Sequence, residues 1–145
     1  MKYKNLSRKI IGASYQVYNT LGFGFLESVY EKSLEIELSD VGMNISRQEP
    51  ITVYYSGQLV GDFIADLIIN EKIIVEIKSV QTLHKRHEVQ LVNYLTATNT
   101  DVGLLINFGE SEVEVKRKVR ELPNGQDILD WLDTKNQMKT RGWGI

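Results

Sequence analysis

The chain has 145 residues, no cysteine and a formal net charge of −2, with 42% hydrophobic and 25% charged residues. That balance fits one soluble globular domain over residues 1–145. It excludes disulfides, thiolate zinc sites and cysteine-ligated iron–sulfur clusters, and a binder that holds a polyanion by bulk charge alone.

The opening MKYKNLSRK lacks the apolar core of a signal peptide, and no apolar run approaches a membrane span. A cytoplasmic location without membrane contact is the default expectation. Ile10, Ile11, Ser14, Val17, Tyr18 and Leu21 recur at helical spacing and predict a helix over Asn5–Leu21, which Gly22-Phe23-Gly24 breaks. Leu26, Val29, Tyr30, Leu34 and Leu38 predict a second helix over Leu26–Leu38, closed near Gly42. A β-rich centre follows: Ile45–Tyr55, a Ser56-Gly57 turn, Leu59–Ile69 and Ile73–Ser79. Leu83–Ala97 reads as a helix, Val102–Phe108 as a short buried strand and Val113–Val119 as an alternating edge strand. Pro123-Asn124-Gly125 punctuates, Asp127–Met138 is a last helix, and RGWGI is a tail. The order ααβββαββα predicts an α/β fold with a mixed sheet covered by helices on both faces.

The segment IIVEIKSV, Ile73–Val80, poses the chemical question, because Glu76 and Lys78 interrupt an apolar strand. Buried charge is costly unless it is paired or put to use. Over Phe63–Ile69 and Ile73–Ile77 the odd positions are all apolar, whereas the even positions include Asp66, Glu76 and Lys78. Side chains alternate across a strand, so the charges fall on one face. A three-residue loop at Asn70-Glu71-Lys72 pairs residues whose numbers sum to 142 and sets Asp66 opposite Glu76. Their Cβ atoms would then lie about 4.5–5.5 Å apart. A two-residue loop would mix charge into the core, so the apolar pattern selects an odd loop or a bulge, with Asn70 or a neighbour in the left-handed conformation.

Two carboxylates that close repel each other unless a cation sits between them. One reading is a structural ion pair of Lys78 with Glu76 or Asp66. The other is a site for Mg²⁺ or Mn²⁺, with the Ile77 carbonyl as third ligand and Lys78 orienting the attacking water or stabilising a pentavalent phosphorus transition state. Paired carboxylates also serve glycoside hydrolysis, in which a same-face lysine has no evident task.

Asp66…Glu76-Ile77-Lys78 resembles the D…(D/E)-x-K signature of the PD-(D/E)XK nuclease superfamily, with Ala65 where the leading proline would stand. Gly24-Phe25-Leu26-Glu27-Ser28-Val29-Tyr30 is similar to the GxxExxY signature of a small bacterial family. His87-Glu88-Val89-Gln90-Leu91-Val92-Asn93-Tyr94-Leu95 resembles its HxxQxxNYL helix and the Q-x-x-x-Y motif of the phage lambda exonuclease and RecB-like branch. Leu104–Gly109 resembles the strand that follows, and the likeness runs in register from Leu6 to Val119.

The resemblance implies a restriction-endonuclease-like core and a divalent-metal-dependent nuclease, with DNA as the expected substrate. It implies Asp66 and Glu76 as metal ligands, Glu27 as a helix carboxylate near the metal, and Lys78 as the catalytic lysine. Gln90 takes a catalytic or substrate-binding part and Tyr94 a substrate-binding one. His87, Lys85 and Arg86 open the same helix and are candidates for phosphate contact. The alternative is a nucleic-acid-binding or assembly module that keeps the fold without cutting. Small chains of this fold often lack a specificity domain, which leaves room for a homodimer or a partner protein.

Each added residue also has a plainer role. Glu27 favours a helix dipole, Gly22 and Gly24 permit a sharp reversal, and Tyr30 fills the core with a satisfied hydroxyl. His87 suits an exposed surface. Lys116, Arg117, Lys118 and Arg120 suit a charged sheet edge. Trp131 suits the core, and Trp143 lies in the tail.

Overall fold

The computed structural model describes residues 1–120 and 126–140. The Pro123-Asn124-Gly125 turn and the RGWGI tail with Trp143 lie outside the described residues. Nine elements follow in the expected order: α1 Lys4–Leu21, α2 Glu27–Asp40, β1 Ile45–Tyr55, β2 Gln58–Ile69, β3 Ile73–Lys78, α3 Lys85–Thr98, β4 Val102–Phe108, β5 Val113–Val119 and α4 Gln126–Thr140. The strands form one mixed sheet in sequential order, with β3 and β4 parallel and every other neighbouring pair antiparallel. The crossover that a parallel pair requires is supplied by α3.

One layer packs α1 and α2 on the sheet through Ile10, Leu34, Leu38, Leu67, Val75, Ile77 and Leu104. The other packs α3 through Leu91, Tyr94 and Leu95 on Ile51, Ala65, Ile74 and Leu105. Gly103 lets α3 sit close, since a Cβ there would meet Leu91 Cδ1 at 2.8 Å. The strands β3 and β4 lie between the layers, which is why both read as nearly unbroken apolar runs.

The α1–α2 reversal is built as its glycines suggest, with φ of 74° at Gly22 and 112° at Gly24. Tyr30 is fully buried, donates its hydroxyl to the Gly22 carbonyl at 2.5 Å and stacks on Phe108 with centroids 4.3 Å apart. This ties the start of α2 to the C-terminal end of β4, next to the end of β3.

The β2–β3 loop has three residues, with Asn70 and Glu71 both at positive φ, and the register pairs Ile69 with Ile73 and Leu67 with Val75. The expected sum of 142 therefore holds up to Leu67–Val75. The expectation that all odd positions share one face fails beyond it. Leu67 and Ile69 lie in the α1/α2 layer, whereas Ala65 lies in the α3 layer and Phe63 contacts Tyr94. The change of layer falls at Asp66, opposite Gln48, which takes φ 54° and is skipped by the β1–β2 ladder while the register stays the same on either side, Arg47 with Leu67 and Glu49 with Ala65. A residue in the left-handed region cannot continue a pleated ladder, so both strands turn there.

Candidate active site

The candidate site lies where β2 parts from β3. The ladder between these strands ends at Leu67–Val75. One residue beyond, side chains take over: the Asp66 carboxylate Oδ2 accepts the Ile77 N–H at 2.8 Å, and Glu76 Oε1 accepts the Asp66 N–H at 3.4 Å. Asp66 and Glu76 are thus brought together as the pairing argument expects, each carboxyl anchored to the other strand's backbone. The Ile77 N–H faces the opened gap, and the N–H and C=O of a strand residue point to the same edge. The Ile77 carbonyl therefore faces that gap as well.

Glu76 is 6% exposed. Burial first, then the charge of Asp66 and a carboxyl–carboxyl hydrogen bond, push its carboxyl up to about 9, against the weaker pull of Lys78. Neutral pH then finds Glu76 holding a proton beside Asp66. A hard divalent cation fits such a place. Asp66, Glu76 and the Ile77 carbonyl would supply it with oxygen donors, and its charge would offset the repulsion between the two carboxyls.

Lys78 is half-buried at the end of β3, next to Asn107 on β4. Among the described residues its ammonium makes no hydrogen bond and no ion pair. The structural ion pair offered as the plainer reading is therefore not formed. The chain after Lys78 is held by Asn107, which accepts the Val80 N–H at 3.0 Å and donates to the Val80 carbonyl at 2.8 Å.

The helix residues distribute unevenly. Tyr94 is buried on Ala65 and Ile74. Burial, then the Glu76 and Asp66 charges, raise its phenol, so its ring stands close to the carboxylates. Gln90 is exposed on the rim of a cleft beside Tyr94. His87 is half-buried, and its Nδ1 accepts the His84 N–H at 3.2 Å within a capping box that closes the start of α3. Burial and the charges of Lys78, Arg86 and His84 lower its proton affinity. Lys85 and Arg86 are exposed on the first turn. Glu27 is exposed in a shallow depression that also includes Ser79, the residue after Lys78.

Two residues at the site escaped the sequence reading. Glu31, one turn after Glu27, is 4% exposed and accepts the Gln48 amide at 3.0 Å on both carboxylate oxygens. The same amide nitrogen reaches Asp66 Oδ1 at 3.5 Å, and Arg47 approaches Glu31 at 3.5 Å. Burial pushes the Glu31 carboxyl up, the Gln48 bond opposes this, and the Asp66 charge adds to it. A signal for Glu31 was present, since it falls on the buried stripe with Tyr30, Leu34 and Leu38. Nothing local marks Gln48, whose left-handed backbone aims its amide at two distant carboxylates.

The plainer reading of the second basic cluster agrees with the contacts. Lys118 pairs with Glu88 at 2.6 Å, Lys116 lies 3.7 Å from Glu114, and Arg120 pairs with Asp101 at 2.8 Å. Trp131 packs against the core.

A mixed sheet flanked by helices, opening at a carboxylate pair with a lysine just beyond, defines a restriction-endonuclease-like domain. A model of the PD-(D/E)XK nuclease superfamily matches residues 4–118, and the chain belongs to that superfamily. Among solved structures, the crystal structure of SSO0001 is similar at 19% identity, with a TM-score of 0.53 over 94% of this chain and 68% of that one. At that identity the likeness speaks for the fold alone. No curated protein sequence matches the chain.

Proposed function

We propose that the protein is a divalent-metal-dependent nuclease that hydrolyses phosphodiester bonds, with DNA as substrate and Mg²⁺ or Mn²⁺ as the ion. The observation that carries this reading is the interlocked Asp66–Glu76 pair beside a lysine that has no hydrogen bond or ion pair among the described residues. Superfamily membership supports nuclease activity. The GxxExxY-like and Q-x-x-x-Y-like segments support the finer placement near the GxxExxY family and the lambda exonuclease branch.

Asp66, Glu76 and the Ile77 carbonyl would hold the ion, which when bound supplies Lewis acidity and neutralises phosphate charge. The Ile77 N–H holds Asp66 in one orientation, so its other oxygen is presented without reorganisation. The Lys78 ammonium orients the attacking water or binds a non-bridging phosphate oxygen as charge builds there. Water adds to phosphorus, the bond to the leaving sugar oxygen breaks, and that oxygen takes up a proton. Tyr94 walls the site on the α3 side, and Gln90 and Arg86 line the approach for the strand. Glu27 sits on the opposite rim by Ser79, where it can act on the ion through water. The protein works in the cytoplasm on this reading. Among the described residues no helix is long and apolar enough to cross a membrane.

Purified protein with Mg²⁺ or Mn²⁺ should cleave DNA, and Lys78→Ala and Glu76→Ala should each abolish cleavage while circular dichroism stays native. Cleavage that survives both substitutions overturns the mechanism. DNA binding by the wild-type protein that does not respond to divalent metal, with no cleavage under Mg²⁺ or Mn²⁺, would favour the non-cutting module instead.

A further inference from the structure

Beyond β2's change of layer, the distal β1–β2 ribbon leans over α3 and leaves a cleft of about 700 Å³ between them. Val53 and Phe63 form its ribbon wall, and Tyr94 contributes the side shared with the candidate active site. The Phe63 and Tyr94 rings lie 5.6 Å apart with their planes tilted by 44°, and Phe63 is 44% exposed. Arg86, Gln90 and Asn93 stand along the α3 rim at helical spacing i, i+4 and i+7, so they form one polar stripe above an apolar floor.

This cleft reaches the site through Tyr94, which shares one buried cluster with Ala65, the residue before Asp66, and lies within the field of the Glu76 and Asp66 carboxyls. An apolar slot with an exposed ring face, two side-chain amides and one guanidinium matches one ligand chemistry closely. A nucleobase has a flat face to stack on Phe63 and polar edges for Gln90 and Asn93, and its phosphate can meet Arg86.

We propose that the cleft between Phe63 and α3 seats one unstacked base of a nucleic-acid strand, next to the phosphate handled at Asp66 and Glu76. The proposal rests on the nuclease reading for its substrate. It specifies that the strand must be single-stranded or locally opened, because a base inside a duplex cannot present its face to Phe63.

The test uses full-length Lys78→Ala protein in EDTA, so that binding is read without cleavage. A fluorescent oligo-dT should bind more tightly than an abasic strand of equal length and charge. Phe63→Ala should weaken oligo-dT binding by roughly 5- to 100-fold, the range expected for losing one base–aromatic stack, while leaving abasic binding unchanged. Asn93→Ala lies on an exposed helix surface and gives a second variant with the same expected pattern should Phe63→Ala fold poorly. Equal binding of the base-bearing and abasic strands overturns the proposal, as does no strand binding, or a preference that survives in folded variants. Displacement of the strand by an equimolar nucleoside monophosphate overturns the strand as occupant. Because cleavage is not the readout, loss of the nuclease reading and loss of the base cleft give different results.

Discussion

The Ile77 N–H donates to Asp66 Oδ2 at 2.8 Å, where a backbone carbonyl of β2 would otherwise continue the ladder. Ile77 is fully buried, so this carboxylate satisfies a donor that has no access to water. Asp66→Ala should therefore cost about 1–3 kcal/mol of stability, the penalty for an orphaned buried N–H. Asp66→Asn keeps an acceptor, and should lose less stability while losing cleavage just as fully. Urea denaturation and a cleavage assay on both variants separate the two roles of one side chain.

Glu76 makes stability depend on pH with a definite sign. Its carboxyl is raised from 4.5 to about 9 in the folded protein. Between those values the native state holds a proton that the unfolded chain has released, so the metal-free protein should lose stability as pH rises. The limiting slope is about 1.4 kcal/mol per pH unit for one proton. His87, whose proton affinity is lowered, acts with the opposite sign below the ordinary imidazole value of 6.5. The difference in melting temperature between wild type and Glu76→Gln, scanned from pH 5 to 9 in EDTA, isolates Glu76. A difference that does not change with pH contradicts the raised carboxyl.

Gln48 serves two carboxylates from a left-handed backbone, at φ 54°. Gln48→Ala should destabilise by roughly 1–3 kcal/mol, because it removes donors from the buried Glu31 carboxylate and keeps the backbone strain. Gln48→Gly loses the same amide but relaxes the strain, so it should cost less than the alanine. The reverse order in chemical denaturation would show that the left-handed backbone at Gln48 carries little strain.

Lys78 should be dispensable for stability. With no ion pair or hydrogen bond to lose among the described residues, Lys78→Met should change unfolding free energy by no more than about 1 kcal/mol. Cleavage should fall by roughly 100-fold or more. A large loss of stability would instead identify Lys78 as part of a structural charge cluster.

The hairpin shows how far local pattern reaches. Apolar residues at every odd position on both sides of Asn70-Glu71-Lys72, with all charge at even ones, were enough to select an odd loop or a bulge, and the three-residue loop with Leu67 paired to Val75 follows that choice, because a slip by one residue would have turned charge into the core. The same alternation missed the change of layer between Ala65 and Leu67. That turn is made against a distant partner, Gln48 on β1, whose own residue type does not announce a positive φ. Glu31 was legible as a charge on an apolar stripe, but its partner lies 17 residues away in the chain.

By itself the sequence determined the order of the nine elements, the pairing that brings Asp66 to Glu76, and the spacing that sets Lys78 beside them. Those follow from side-chain alternation, turn chemistry and motif spacing, which act between near neighbours. The tertiary structure alone decided that Lys78 stays unpaired among the described residues and that Glu31 joins Asp66 through Gln48. It also decided that Phe63 and Tyr94 flank an open cleft. These depend on how a bent ribbon, two helical layers and a buried strand end approach one another, and such approaches are set by packing across the whole molecule.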